Sequence, residues 1–135
     1  YAQLEQLDAI QAKRNHLWQA YFDGLAELGG EGFATLPAIP DGASNNAHMF
    51  FLVCRSLAER TALIAHLKDR GVMAVFHYLP LHESPFYAAR HDGRALPNAV
   101  RFADSLVRLP MFYDLTTDQV AGICAAIREF HAARR

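Results

Sequence analysis

The segment Val75–Pro85, Val-Phe-His-Tyr-Leu-Pro-Leu-His-Glu-Ser-Pro, gathers the side chains of this sequence best suited to meeting a ligand. Phe76, His77 and Tyr78 stand in a row, and His82 follows between Pro80 and Pro85. Imidazole and phenol groups can donate to and accept from hydroxyl or phosphate oxygens, and aromatic faces can pack on a sugar ring. Proline fixes φ and lacks an amide donor, so the stretch cannot continue as a helix or a central strand. It is expected to be an ordered loop at the end of a strand, where ligand contacts gather on rigid scaffolds. On spacing alone a second reading stays open, in which Phe76 is core and Tyr78 caps the sheet edge.

Other reactive patterns are missing from the sequence. His82-Glu83 runs into Ser84-Pro85, so it forms no His-Glu-x-x-His helix, and no third ligand stands at zinc spacing. There is no Gly-x-Ser-x-Gly elbow and no phosphate-binding glycine loop. Glu83 and Asp92 carry no pattern that makes them an acid/base pair. Lys13 and Lys68 are the only lysines. One lies on a long helix and the other in Lys-Asp-Arg at a helix end, and both read as solvated surface charges.

The elements that must hold the loop follow from periodicity. Tyr1–Leu28 reads as one long helix. Leu4, Leu7, Trp18, Tyr21, Leu25 and Leu28 lie along it, patchily in the first half, and Gly29-Gly30 is the expected stop. Phe33–Leu36 is a short strand candidate closed by Pro37. Ala47–Cys54 is expected to be a strand buried on both faces. Ser56–Arg70 reads as a helix with a Ser56/Glu59 capping box, an apolar face of Leu57, Leu63, Ile64 and Leu67, and Gly71 as its stop. Val72–Val75 is the next strand, and strand–helix–strand at this length favours a crossover onto one sheet. Phe86–Ala95 is polar and expected to be mobile. Pro97 opens a helix to about Val107 with Val100, Ala103 and Leu106 inward. Arg108–Met111 is a possible last strand. Thr116 and Gln119 form a capping box for an amphipathic helix of Val120, Ile123, Cys124, Ile127 and Phe130, with Ala132–Arg135 as its frayed, basic end. The expected fold class is α+β, a two-layer α/β sandwich with a small mixed sheet of three to four strands covered by helices.

Length and composition fit this scale. With 135 residues, 52% hydrophobic and 20% charged, the chain reads as one globular domain. A formal net charge of −1 gives no sign of nucleic acid or an anionic membrane as partner. No apolar run approaches membrane-spanning length and no signal peptide is visible. Cys54 and Cys124 sit in apolar surroundings without disulfide or zinc spacing, which fits a reducing compartment.

His-Tyr-Leu-Pro-Leu-His at 77–82 resembles the His-Tyr-x-Pro-Leu-His signature of the pyridoxal-phosphate-dependent nucleotide-sugar aminotransferases, the DegT/DnrJ/StrS group. Trp18–Leu25, Asn46–Phe51 and Arg108–Leu115 match in the same order. Ala74–His82 and Arg108–Tyr113 are most similar to the branch of dTDP-4-amino-4,6-dideoxygalactose transaminases. The resemblance implies that residues 1–135 are the C-terminal small domain of such an enzyme, folded as in fold-type I aminotransferases. Residues 1–28 would then be a helix reaching toward a large domain, and 29–135 the α/β body. That large domain, with the lysine that holds pyridoxal phosphate, would lie outside this chain, so the chain alone is expected to bind no cofactor and to be inactive. The resemblance carries substrate contact onto His77, Tyr78 and His82, with Asn46 and His48 as weaker candidates. Read as a lone residue, His48 is instead a hydrogen-bonded histidine at a strand start. Phe76 fits the branch pattern and bears on which sugar is accepted. The implied reaction transfers an amino group from glutamate to the 4-keto carbon of a dTDP-4-keto-6-deoxyhexose for cell-surface polysaccharide, in a cytoplasmic homodimer. The alternative from another class is a stand-alone, non-catalytic module binding a sugar nucleotide or a protein partner.

Overall fold

The structure, a computed structural model, describes residues 1–134. In chain order the elements are α1 (Ala2–Glu5), α2 (Leu7–Gly30), β1 (Phe50–Val53), α3 (Leu57–Lys68), β2 (Val75–Phe76), α4 (Pro97–Ser105), β3 (Leu106–Leu109) and α5 (Thr117–Ala132). Two 3-10 turns, Leu81–Glu83 and Ala88–Arg90, lie between β2 and α4.

The helix ends follow their capping chemistry. Thr116 Oγ1 accepts from the Gln119 N–H at 3.2 Å, and the Gln119 side chain accepts from the Thr116 N–H at 2.9 Å. That reciprocal box satisfies two orphan donors of α5. At α3 the box is only half formed. Ser56 Oγ accepts from the Glu59 N–H at 3.2 Å, but the Glu59 carboxylate takes the Arg55 N–H at 2.7 Å instead of turning back to Ser56. Helix α3 ends beside Gly71, whose φ of +74° is left-handed backbone that glycine adopts without a Cβ clash.

The sheet has order β1-β3-β2, and both neighbouring pairs are antiparallel. β1 and β2 therefore run the same way, joined through α3 with β3 inserted between them. The expected crossover is present, but the sheet is antiparallel rather than mixed, because the last strand enters the middle. Phe50, Leu52, Val107 and Leu109 form its helix-facing side, each at most 5% exposed. They pack against Leu17, Trp18, Tyr21 and Leu25 of α2, Leu63 and Leu67 of α3, and Val120, Ile123, Cys124, Ile127 and Phe130 of α5. Trp18 and Tyr21 meet Phe50 with ring centroids 5.3 and 5.1 Å apart. The Tyr21 hydroxyl donates to the Pro110 carbonyl at 2.9 Å. This is a two-layer α+β arrangement.

Several boundaries differ from the sequence reading. The first helix is broken at Gln6, and α2 continues through Gly29 and Gly30 to end beside Gly32 (φ +73°). Phe33–Leu36 contributes one antiparallel bridge, Thr35 to Val53, rather than a strand. β1 is shorter than Ala47–Cys54, and on the side facing away from the core cluster Phe51 is half buried while Val53 is buried. Val72–Val75 is replaced by Val75–Phe76, with Met73 82% exposed. Leu57 precedes the buried side of α3 and stays 46% exposed. Leu106 starts β3 instead of ending α4, because the chain turns extended there (φ −82°, ψ 130°). The last strand is thus Leu106–Leu109, not Arg108–Met111. At the C-terminal end α5 stops at Ala132, and Arg135 of the expected basic end lies outside the described residues.

Candidate functional site

The register decides which way the ligand-competent side chains point. Val75 pairs with Arg108, and Arg108 with Phe51; Phe76 pairs with Val107, and Val107 with Leu52. Paired residues share a face of a sheet, and successive residues alternate. Phe76 therefore lies on the helix-facing side, at its rim and 47% exposed, under the Arg60 guanidinium of α3 at 5.3 Å. Arg60 also donates to the Ala103 carbonyl of α4 at 2.8 Å, so one side chain ties α3, α4 and the end of β2 together.

His77 comes one residue later and falls on the other face, the side of Val75, Arg108 and Phe51. Its ring meets that of Tyr78 at 4.5 Å, and Tyr78 itself is 74% exposed. His77 Nδ1 is buried without a hydrogen-bond partner. Burial first, and then the positive charge of Arg108, hold the imidazole below its ordinary pKa, so it is neutral at pH 7.

His82 lies in the turn Leu81–Glu83. Its ring lies 5.1 Å from that of His91, and its Nε2 stands 3.7 Å from a Glu83 carboxylate oxygen. The Gly93 N–H donates to His91 Nδ1 at 3.1 Å, which places the His91 proton on Nε2. Both rings border a cleft of about 520 Å³ with Arg94, Arg101 and the start of α4.

Asn46 and His48 are not brought to this place. They precede β1, which begins opposite Leu109, whereas β2 runs toward Leu106 and sends the loop out at the other end of the sheet. His48 Nδ1 lies 2.7 Å from Asn46 Oδ1, and the Asn46 carbonyl accepts from Gln11 on α2 at 2.8 Å. Between them Ala47 has φ +49°, strained for a residue with a Cβ, and its N–H is held by Asn45 Oδ1 at 2.9 Å. The sequence reading missed Arg108, Arg60 and His91 as neighbours of the loop. An arginine inside an apolar strand run was the available signal for Arg108; Arg60 and His91 carried none.

A larger cleft, about 810 Å³, is elsewhere, between Gly71–Met73, Phe112 and the Gln119–Glu129 side of α5. It is mostly apolar and contains no histidine, lysine or tyrosine, so it offers less chemistry than the loop. Among the described residues no group of three or more His, Cys, Asp and Glu could hold a metal ion. Among the described residues no helix is long and apolar enough to cross a membrane. Lys13 is half buried on α2 and Lys68 is exposed on the last turn of α3. Neither lines the two clefts above. Cys54 and Cys124 are free and buried, and burial pushes their thiols up to about 12 and about 11.

Comparison with known proteins gives a consistent result. The model of the DegT/DnrJ/EryC1/StrS aminotransferase family matches residues 1–128. A Streptomyces venezuelae dTDP-3-amino-3,4,6-trideoxy-alpha-D-glucose transaminase is 33% identical over 130 residues, 94% of this chain and 32% of the relative. Among solved structures, the aminotransferase TlmJ of Streptoalloteichus hindustanus superposes with a TM-score of 0.86 at 26% identity, covering 99% of this chain and 35% of that one. Streptomyces venezuelae DesV, solved with a ketimine intermediate, gives 0.85 at 31% identity, covering 96% and 34%. The chain thus spans about a third of the length of these relatives.

Proposed function

The chain belongs to the DegT/DnrJ/EryC1/StrS aminotransferase family, and from that premise we propose that it is the C-terminal small domain of a nucleotide-sugar aminotransferase. The observation that carries this reading is a family match over nearly the whole chain at only a third of the relatives' length. Tyr1, Leu4 and Leu7 are 94, 68 and 51% exposed, as suits an N-terminal segment that reaches toward another domain. Pyridoxal phosphate, held by a lysine outside these residues, supplies the amino-group carrier chemistry in the intact homodimer. The substrate is a dTDP-4-keto-6-deoxyhexose, with glutamate as amino donor, in the cytoplasmic synthesis of cell-surface polysaccharide. The transaminase activity of the Streptomyces venezuelae relative supports a dTDP-hexose substrate; the 4-keto position rests on the resemblance of Ala74–His82 and Arg108–Tyr113.

On this chain His77, Tyr78 and His82 contact the sugar nucleotide. Phe76 sets the loop's departure angle through Arg60. Asn46 and His48, at the far end of the sheet, meet a separate part of the ligand.

The test uses the complete enzyme with pyridoxal phosphate, glutamate and a dTDP-4-keto-6-deoxyhexose, with products read by mass spectrometry. A dTDP-4-amino-4,6-dideoxyhexose and 2-oxoglutarate are expected, and neither from the 135-residue chain alone. His77→Ala and Tyr78→Phe should each lower kcat/KM by roughly ten- to a hundredfold with little change in Tm. Binding of the dTDP-sugar without transfer would shift the reading to a non-catalytic sugar-nucleotide module. Stoichiometric labelling of one lysine of the 135-residue chain, after borohydride reduction with pyridoxal phosphate, would overturn the placement of the cofactor.

A further inference from the structure

Arg60 stands early in α3, at the end of a helix that favours anions rather than cations. Its head group is used elsewhere. Nη1 donates to the Ala103 carbonyl at 2.8 Å. Ala103 lies in the last turn of α4, whose carbonyls find no N–H further along the helix because the chain has turned into β3. The guanidinium therefore closes the C-terminal end of α4, where a positive charge is favoured. Its central carbon is 5.3 Å from the centre of the Phe76 ring, within cation–π reach.

Packing alone would not select this side chain. Arg60 is half buried, and its Nε–H is buried with no acceptor. A buried donor left unpaired is destabilising. Methionine, of similar reach, would fill the space between α3, α4 and Phe76 without an orphan donor. Methionine cannot hold a carbonyl and an aromatic face at once in fixed directions, as a planar guanidinium does.

Phe76 gives that hold its consequence. β2 consists of Val75 and Phe76 alone, 43 and 47% exposed, and its ladder is two pairs with β3. The next residues are His77 and Tyr78. The end of so short a strand is weakly fixed by its own pairing, and the Arg60 stack fixes it from the helical layer.

We propose that Arg60 is a positioning residue for the sugar nucleotide. It acts through Phe76: by tying that ring to the end of α4 it sets the angle at which His77 and Tyr78 reach the ligand. The contacts are geometric, and the ligand they serve rests on the sugar-aminotransferase reading.

The complete enzyme carries the test. Arg60→Met removes the charge and the fork, Arg60→Lys keeps a cation and a donor, and Phe76→Leu removes the ring. Arg128→Met is the control, since it deletes another arginine-to-carbonyl bond, from α5 to Gly24 of α2. Arg60→Met should lower kcat/KM for the dTDP-sugar by about ten- to a hundredfold. Release of 2-oxoglutarate from glutamate, measured without sugar, should stay within about twofold of the parent enzyme. Amide exchange of residues 77–82, read by mass spectrometry, should speed up at least about fivefold. Arg60→Lys should recover part of the exchange protection and of kcat/KM. Arg60→Met combined with Phe76→Leu should be no worse than the poorer single variant, because both remove one contact. Arg128→Met should lower Tm and leave exchange at 77–82 and sugar turnover unchanged. Unchanged exchange at 77–82 in Arg60→Met, additive losses in the double variant, or equal losses in the sugar and glutamate steps overturn the proposal. So does Arg128→Met loosening 77–82 as much as Arg60→Met, since the effect is then general destabilisation. A parent enzyme that aminates no dTDP-hexose fails the sugar reading instead, and the exchange measurement still decides whether Arg60 holds the loop.

Discussion

Helix α5 and the segment from Met73 to Phe86 are both rich in apolar side chains, and the fold treats them in opposite ways. α5 buries Val120, Ile123, Cys124, Ile127 and Phe130 against α2, α3 and the sheet. The other segment leaves Met73, Tyr78, Leu79, Leu81 and Phe86 exposed by 82, 74, 73, 64 and 62%. The difference is periodicity. A helical stripe presents one continuous surface that a neighbour can cover, whereas prolines 80 and 85 and a two-residue edge strand scatter apolar groups in several directions. Exposed apolar area on this scale marks a surface that meets something else. One region holds the domain together and the other leaves its apolar groups outside the core.

Deleting apolar atoms from each region tests that contrast most directly. Phe130→Ala should cost about 3–5 kcal/mol by leaving a core cavity, while Leu79→Ala should stay within about 0.5 kcal/mol; urea unfolding measures both. Equal costs would mean that the loop packs on this domain as tightly as the helix does.

Backbone approach gives the next effect. A Cβ on Gly24 of α2 would lie 2.8 Å from Cys124 Sγ of α5, whereas one on Gly122 would meet nothing within 4 Å. Gly24→Ala should therefore destabilise by about 1–3 kcal/mol through overpacking, and Gly122→Ala should stabilise by roughly 0.5–1 kcal/mol through helix propensity and chain entropy. The same sign for both would show that α2 and α5 are not in close register.

A buried histidine makes the packed region the more acid-sensitive one. His131 is 1% exposed, neither ring nitrogen has a hydrogen-bond partner, and it faces Glu59 at 3.8 Å, with Arg55 and Arg134 nearby. Burial lowers its pKa, and the attraction of Glu59 only partly offsets this. A depressed histidine binds its proton more readily when unfolded. Its contribution is therefore present above its ordinary value near 6.5 and is lost as pH falls toward the folded-state value, with a slope of at most about 1.4 kcal/mol per pH unit. Glu59 adds a second loss at lower pH. Burial disfavours its carboxylate, but the Arg55 side chain and backbone donors outweigh that and hold the carboxyl below its usual range. His131→Leu should flatten the stability profile below about pH 6.5. An unchanged profile would place the acid sensitivity elsewhere.

The smallest expected effect concerns the N-terminal end. Tyr1, Leu4 and Leu7 are exposed while Ile10 is half buried, so this end resembles the contact loop more than α5. Light scattering should show weak self-association of the 135-residue chain that a variant starting at Asn15 loses. A strictly monomeric chain, with residues 1–14 strongly protected from hydrogen exchange, would move this end into the packed class.

The sequence alone determined what depends on neighbours a few positions away. The Thr116/Gln119 box, the α5 stripe, the Ser56 cap and the left-handed Gly71 are local chemistry, and each is found where the residues place it. The histidine–proline loop was also legible, since Pro80 and Pro85 bar a continuing helix or central strand there. The antiparallel order β1-β3-β2 was not, because it depends on a strand arriving more than fifty residues after its partner and entering between two others. That insertion pairs Phe76 with Val107 on the helix-facing side and sets Arg108 between Phe51 and Val75 on the other. It also separates Asn46 and His48 from the loop. Strand alternation has a period of two, so a shift of one residue in register would exchange every one of these partners. Which face a side chain occupies was therefore decided by pairing across the fold, and only the tertiary structure contains that pairing.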